Sequence, residues 1–229
     1  MIEKAITLLK IVQWNARIIN NKTLEFQKFL STNDISIAII IETWLNNNKE
    51  LKFSNYNTVR QDRSDGKGGI AVLIKKDIAY RIMKTSNSRN TKETQYVILK
   101  INNVYIIAIY IPPNYITNKQ YWKNIFKSIA DPYIICGDFN IHHNSWGSPY
   151  TTREGEILYE FMQENDIICL NNGQPTRLNT PSQQPTAPDL TCSIAIRPQL
   201  TWQIFPDNTG LQKKKNFQLH EIFLLNYMF

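Results

Sequence analysis

Runs of consecutive apolar residues constrain the fold of this chain more than any other feature. Residues 35–41 and 104–111 carry an apolar or aromatic side chain at nearly every position. A strand with one solvated face alternates apolar and polar residues, whereas a strand covered on both faces is apolar throughout. We therefore expect sheets that are covered on both sides. Five further runs rich in β-branched residues occur at 8–14, 70–74, 96–101, 133–136 and 167–170.

Three stretches between these runs repeat apolar residues at helical spacing, namely residues 24–30, 121–129 and 157–162. Asn102 and Asn103 separate two strand-like runs, which is typical of a tight hairpin and makes part of the sheet antiparallel. The chain of 229 residues is long enough for one sizeable core. These observations favour a single α/β domain, a sandwich of mixed sheets with helices outside.

The charge balance limits the partners that the chain attracts. Lysine and arginine number 26 against 19 acidic residues, and the resulting net charge of +7 favours a polyanion such as nucleic acid. A solvated basic face explains the same excess equally well. No stretch approaches the roughly 20 apolar residues of a membrane span, and the first ten residues do not resemble a signal peptide. We expect a soluble, intracellular protein whose three dispersed cysteines are buried and reduced.

Polar residues that end apolar strands are the candidates for chemistry. Asn15, Glu42, Tyr110 and Asp138 each follow an apolar run, and Asn140 lies two positions further on. A rigid strand places such residues at the rim of a sheet, where a cleft can form. Each alone is more often a solvated or capping residue. Together, two carboxylates and two amides offer the hard oxygen ligands of Mg²⁺, so the pattern predicts a magnesium phosphoryl-transfer site.

The order and wording of these motifs resemble the endonuclease domain encoded by non-LTR retrotransposons, a relative of apurinic/apyrimidinic endonucleases and pancreatic deoxyribonuclease. The resemblance covers roughly residues 8–210. It implies the fold of the endonuclease/exonuclease/phosphatase superfamily: a four-layered α/β sandwich of two mixed β-sheets flanked by helices, in residues 1–210, with a divergent tail in 211–229. Further matching motifs are Asp62-Arg63, Gly68-Gly69-Ile70-Ala71, Gly137 to Asn140, His142 to Gly147, Pro175-Thr176-Arg177 and Pro188-Asp189-Leu190-Thr191.

The resemblance implies a role for each residue at a strand end. Glu42 would hold Mg²⁺ or Mn²⁺, with Asn15 beside it. Asp138 would orient or deprotonate the attacking water, and Asn140 would hydrogen-bond that water or a phosphate oxygen. Tyr110 would donate its hydroxyl toward charge that develops on the phosphorus.

Substrate contacts are expected from the same resemblance. Thr176 matches a substrate-contacting position, although a threonine after proline is also an ordinary turn residue. Four basic loop residues could meet phosphates and one tryptophan could stack on a base, with solvated charges and a core aromatic as the alternatives: Arg17, Arg63, Lys67, Arg177 and Trp146.

The match breaks near the C-terminus. Asp189 matches the aspartate that orients the histidine of a Ser-Asp-His triplet, but none of the three histidines, His142, His143 and His220, follows Ser-Asp. The sequence diverges after Gly210, as a frameshift or truncation would produce. We therefore expect a rate loss of about 10²-fold or more. We also expect one sheet to lack its last strand, a gap that the apolar residues 222–225 would cover only in part.

Three hypotheses follow. The first is a Mg²⁺-dependent endonuclease, impaired by the missing triplet, that nicks double-stranded DNA at the target site. It would act in the nucleus, be cytoplasmic otherwise and not be secreted, and a reverse transcriptase domain would accompany it in the full-length element. The second is a non-catalytic remnant that still binds DNA or metal. The third is a phosphatase acting on inositol phosphates or a ceramide-type lipid. The sequence from Asp138 to Gly147 argues against this third hypothesis.

Overall fold

A computed structural model describes residues 8–46, 48–86, 93–126, 129, 132–177, 184–194, 200–204 and 223–228. Within these ranges, no helix is long and apolar enough to span a bilayer. The elements in chain order are β1 (Leu8–Asn15), α1 (Thr23–Thr32), β2 (Ile37–Ile41), β3 (Tyr56–Gln61), β4 (Ile70–Lys75), β5 (Arg81–Thr85), β6 (Gln95–Ile101), β7 (Val104–Tyr110), α2 (Lys119–Phe126), β8 (Tyr133–Asp138), α3 (Arg153–Glu164), β9 (Ile168–Cys169), β10 (Asp189–Ile194), β11 (Leu200–Ile204) and β12 (Phe223–Met228).

The strands form two mixed sheets of six. The first has the order β11-β12-β1-β2-β4-β3, and the second has the order β5-β6-β7-β8-β10-β9. Each sheet contains one parallel pair, β1 with β2 and β7 with β8, and the remaining pairs are antiparallel. The predicted hairpin at Asn102 and Asn103 is confirmed, because Ile101 pairs with Val104 across that turn.

Three apolar clusters separate four layers, which confirms the predicted sandwich. Alternate residues of both sheets, such as Ile39 of β2, fill the space between the sheets. The opposite face of β2 packs against Phe26 of α1. The outer face of the second sheet, which includes Ile107, packs against Trp122 of α2 and Phe161 of α3. Cover on both faces explains why β2 and β7 are apolar at nearly every position.

The structure corrects the expectation that the first sheet lacks its last strand. Residues of the divergent tail form β12, which pairs antiparallel with both β1 and β11. Pairing needs only an extended segment with free backbone groups, so a sequence without a family counterpart can still close the edge of β1. The predicted domain boundary at residue 210 lies outside the described residues, as does His220.

Introducing proline into β12 should destabilise the protein. β12 lies between two partners, so Leu225→Pro removes a backbone donor from the interior of a sheet. We expect the free energy of unfolding to fall by about 1–3 kcal/mol, measured by urea denaturation. Leu225→Ala, which keeps the donor, is the control. Equal unfolding midpoints for the two variants would mean that β12 does not pair in solution.

Candidate active site

The polar residues at the strand ends meet between the two sheets, at one shared end. Because β1 is parallel to β2 and β7 is parallel to β8, each pair ends at the same edge of its sheet. On the inner face, apolar residues give way to polar ones as the strands end. Ile11 of β1 is followed on that face by Gln13 and Asn15, and Cys136 of β8 by Asp138. The predicted convergence is therefore present.

A single amide links the two carboxylates at this end. Asn15 donates through Nδ2 to Oε1 of Glu42 at 3.2 Å and to Oδ2 of Asp138 at 3.0 Å. Its Oδ1 accepts from the backbone N–H of Arg17 at 3.2 Å. The indole of Trp44, a residue that the sequence reasoning did not assign, donates to Oε2 of Glu42 at 3.3 Å. Asn15 thus bridges Glu42 and Asp138, while its own oxygen is engaged by the following loop.

Asp189 lies beside Asp138 and is held by two side chains. The two aspartates are register partners in β10 and β8. Gln13 donates through Nε2 to Oδ1 of Asp189 at 2.9 Å, and the hydroxyl of Thr176 donates to Oδ2 at 3.1 Å. Thr176 is fully buried, so its hydroxyl positions Asp189. The predicted contact of Thr176 with DNA stays a prediction. Gln13 was missed, although its alternation with Asn15 along β1 indicated the same face.

Tyr110 and Asn140 complete the group. Tyr110 is the register partner of Asp138 across β7 and β8. Burial, and then the charges of Glu42 and Asp138, raise the pKa of its phenol, so the hydroxyl keeps its proton and remains a donor. Asn140 donates from its backbone to Oδ1 of Asp138 at 3.0 Å and from Nδ2 to the carbonyl of Ile111 at 2.9 Å. Both residues therefore lie beside Asp138, as predicted.

Several residues in the loops of this site have left-handed backbone. Glu42 has a φ of 53°, Trp44 of 52°, Asn140 of 48° and Arg17 of 37°. Left-handed backbone costs an ordinary residue about 1–2 kcal/mol and is common where a loop is shaped for function. Backbone hydrogen bonds between the loops after β1 and β2 stabilise this conformation. One of them joins the N–H of Ile18 to the carbonyl of Glu42 at 3.0 Å.

The oxygen atoms of these side chains suit a divalent cation that prefers oxygen ligands. Asp138 is 1% exposed, and burial together with the charges of Asp189 and Glu42 raises its pKa well above the ordinary value. A cation here would relieve that concentration of negative charge. Among the described residues, no group of three or more His, Cys, Asp or Glu side chains forms a closed metal cage. Mg²⁺ needs only one or two carboxylates plus water, so the residues fit it.

The basic residues predicted to meet phosphates differ in their surroundings. Arg17 and Lys67 are exposed. Arg63, whose side chain is 10% exposed, makes an ion pair with Asp65 at 2.8 Å, and its charge acts on the phenol of Tyr110. Trp146 is 1% exposed and belongs to the core beneath α3, which confirms the core-aromatic alternative. Stacking of Trp146 on a base is therefore ruled out in this conformation.

Comparison with known proteins shows what the chain is similar to. Residues 104–210 match the family model described as endonuclease-reverse transcriptase. The endonuclease domain of TRAS1, a telomere-specific non-LTR retrotransposon, superimposes with a TM-score of 0.71 at 18% identity, covering 96% of this chain and 98% of that one. An AP endonuclease from Archaeoglobus fulgidus superimposes with a TM-score of 0.72 at 14% identity, over 96% and 99% of the two chains.

The solved structures that superimpose on the chain show that it has the α/β sandwich fold of AP endonucleases and of the TRAS1 endonuclease domain. Its sequence is similar to those of retrotransposon proteins. It is 29% identical over 195 residues to the RNA-directed DNA polymerase from mobile element jockey of Drosophila melanogaster, an alignment covering 82% of this chain. The chain spans only 21% of the length of that relative. These matches confirm the resemblance to retrotransposon endonuclease domains that the motifs indicated.

Proposed function

We propose that this chain is a divalent-metal-dependent DNA endonuclease that nicks a target site for retrotransposition. The observation that carries the proposal is the convergence of Asn15, Glu42, Tyr110, Asp138 and Asp189 between the sheets at one end. Its substrate is double-stranded DNA, it acts in the nucleus, and a reverse transcriptase domain accompanies it in the full-length element. The net charge of +7 supports a polyanionic substrate.

The residues divide the work of hydrolysis between them. Glu42 would hold Mg²⁺ or Mn²⁺, and a bound cation would polarise the scissile phosphate and neutralise the leaving oxygen. Asp138, which Asn15 links to Glu42, takes a proton from the attacking water. Tyr110 donates to the charged phosphate oxygens, because its phenol stays protonated. Asn15 and Asn140 hold Asp138 in place through its two oxygens.

A second candidate is a non-catalytic remnant. The Ser-Asp-His triplet is absent from the sequence, and both oxygens of Asp189 already accept bonds from Gln13 and Thr176. If Asp189 requires a histidine partner, turnover falls by about 10²-fold or more while metal or DNA binding persists.

A nicking assay on supercoiled plasmid separates the two. We expect the wild-type chain to relax the plasmid with Mg²⁺ and to stop when EDTA is added. Glu42→Gln should lower the rate by about 10²-fold, because it removes the charge facing the metal but retains the shape. Leu24→Ala, at an exposed position of α1, is the matched control. Wild-type nicking no faster than Glu42→Gln would favour the remnant.

A further inference from the structure

A groove beside Asn140 takes no part in the chemistry described above. It has a volume of about 600 Å³, and its walls come from the loops that follow β7 and β8, from Glu154 at the start of α3 and from Arg177. That size is within the range of small-ligand sites. Asn140 belongs to both the groove and the bonded group around Asp138. A molecule in the groove would therefore extend directly from the reacting phosphate.

The groove presents an aromatic ring that is both exposed and supported. Tyr150 is 49% exposed, and its ring lies 4.8 Å from that of His142, centroid to centroid. Nδ1 of His142 is hydrogen-bonded to the hydroxyl oxygen of Ser148 at 3.1 Å, and that oxygen accepts from the backbone N–H of Ala187 at 3.2 Å. The ring behind Tyr150 is therefore fixed. The free face of Tyr150 is available to stack on a base.

Arg177 supplies a positive charge at the same place. Nε of Arg177 is buried and has no hydrogen-bond partner in the part of the chain that the structure describes. In the same part, no carboxylate makes an ion pair with it. Arg177 lines the groove together with Asn140 and His142, and Asn140 is hydrogen-bonded to Asp138, so the Arg177 charge lies near both the groove and the active site. A guanidinium with spare donors is suited to a phosphate.

We propose that this groove binds one nucleotide of the DNA strand, next to the scissile phosphate. The base leaves its stack in the duplex and packs on Tyr150, and the neighbouring backbone phosphate pairs with Arg177. An aromatic face and a cation, one step from the reacting group, form the combination that holds single nucleotides without reading their sequence. The assignment of the ligand as DNA rests on the proposed function, whereas the stacking and charge contacts are testable without turnover.

The test is equilibrium binding of a short fluorescein-labelled DNA duplex in EDTA, followed by fluorescence anisotropy. Tyr150→Ala should weaken binding on the order of 10-fold, and Tyr150→Phe should restore it. Arg177→Gln should weaken binding and reduce the salt dependence by about one phosphate contact. Tyr105→Ala and Arg81→Gln, at the opposite end of the second sheet, are the matched controls and should bind as wild type.

A fluorescent base reports the stacking itself. 2-Aminopurine, moved along one strand of the duplex, should be quenched at one position by wild type and Tyr150→Phe but not by Tyr150→Ala. The proposal is overturned if wild type does not bind the duplex, or if Tyr150→Ala binds and quenches as Tyr105→Ala does. Binding with the expected pattern but without nicking supports the groove and refutes the nuclease activity. Nicking by wild type, with Tyr150→Ala binding the duplex as tightly as wild type, supports the nuclease activity and refutes the proposed groove.

Discussion

Asp138→Asn is expected to lower the nicking rate by about 10³-fold while leaving the protein folded. Asparagine keeps the shape of the side chain but cannot take a proton from water, and it removes negative charge beside Glu42. The measurement is single-turnover nicking of supercoiled plasmid, with circular dichroism to verify the fold. Asp166→Asn changes an aspartate just beyond α3 and is the matched control. A variant that retains a tenth of the wild-type rate would remove Asp138 from the chemistry.

The same substitution should change how stability depends on pH. Burial and the charges of Asp189 and Glu42 raise the pKa of Asp138 in the folded state above its ordinary value of 3.8. The folded protein therefore binds this proton more tightly than the unfolded chain. The resulting stabilisation is complete below about pH 4 and is lost as the pH rises through the folded pKa. In EDTA, the free energy of unfolding should fall less between pH 5 and pH 8 for Asp138→Asn than for wild type, as measured by denaturation at the two pH values. Equal falls for the two proteins would contradict this.

Gly137→Ala should give the largest loss of stability. Gly137 precedes Asp138 in β8 and pairs with Ile109 of β7, and a Cβ at this position would overlap the carbonyl oxygen of Ile109. The two strands are interior members of the second sheet, so neither backbone can move away without breaking other pairs. We expect about 3 kcal/mol or more of destabilisation in urea unfolding.

Gly66→Ala separates this steric effect from the general cost of replacing glycine. Gly66 has a φ of +67°, and a methyl group added there would meet nothing within 4 Å, so alanine costs only the left-handed backbone, about 1–2 kcal/mol. A Gly137→Ala variant that unfolds at the same urea concentration as Gly66→Ala would show that β7 and β8 accommodate the methyl group.

Most of the strands that the sequence predicted are buried on both faces. β2 and β7 are apolar throughout because helices cover one face and the other sheet covers the second. β5 was missed because every residue in it is exposed, so no hydrophobic period marks it. β10 was missed for the opposite reason: it is buried, but its inward face carries Asp189, Thr191 and Ser193. Its polar and apolar residues alternate, a pattern that is typical of a strand with one solvated face and so does not mark a strand buried on both faces.

The site was predictable where chemistry follows directly after an apolar strand. Asn15, Glu42, Tyr110 and Asp138 all fit that description. The partners that orient them were not visible, because Gln13 reaches Asp189 across the two sheets and only the sheet order reveals that contact. The groove beside Asn140 was equally hidden, since Tyr150 and Arg177 lie in separate loops that the fold brings together.

The position of β12 has a consequence for how the protein is made. β1 pairs on one side with β2 and on the other with β12, so that Leu8 and Met228 are register partners. Contacts between such distant residues form slowly, because a long loop must close before they stabilise anything. On the ribosome, the first sheet stays open on that side until β12 emerges. We therefore expect the nascent chain to depend on chaperones until β12 has been synthesised.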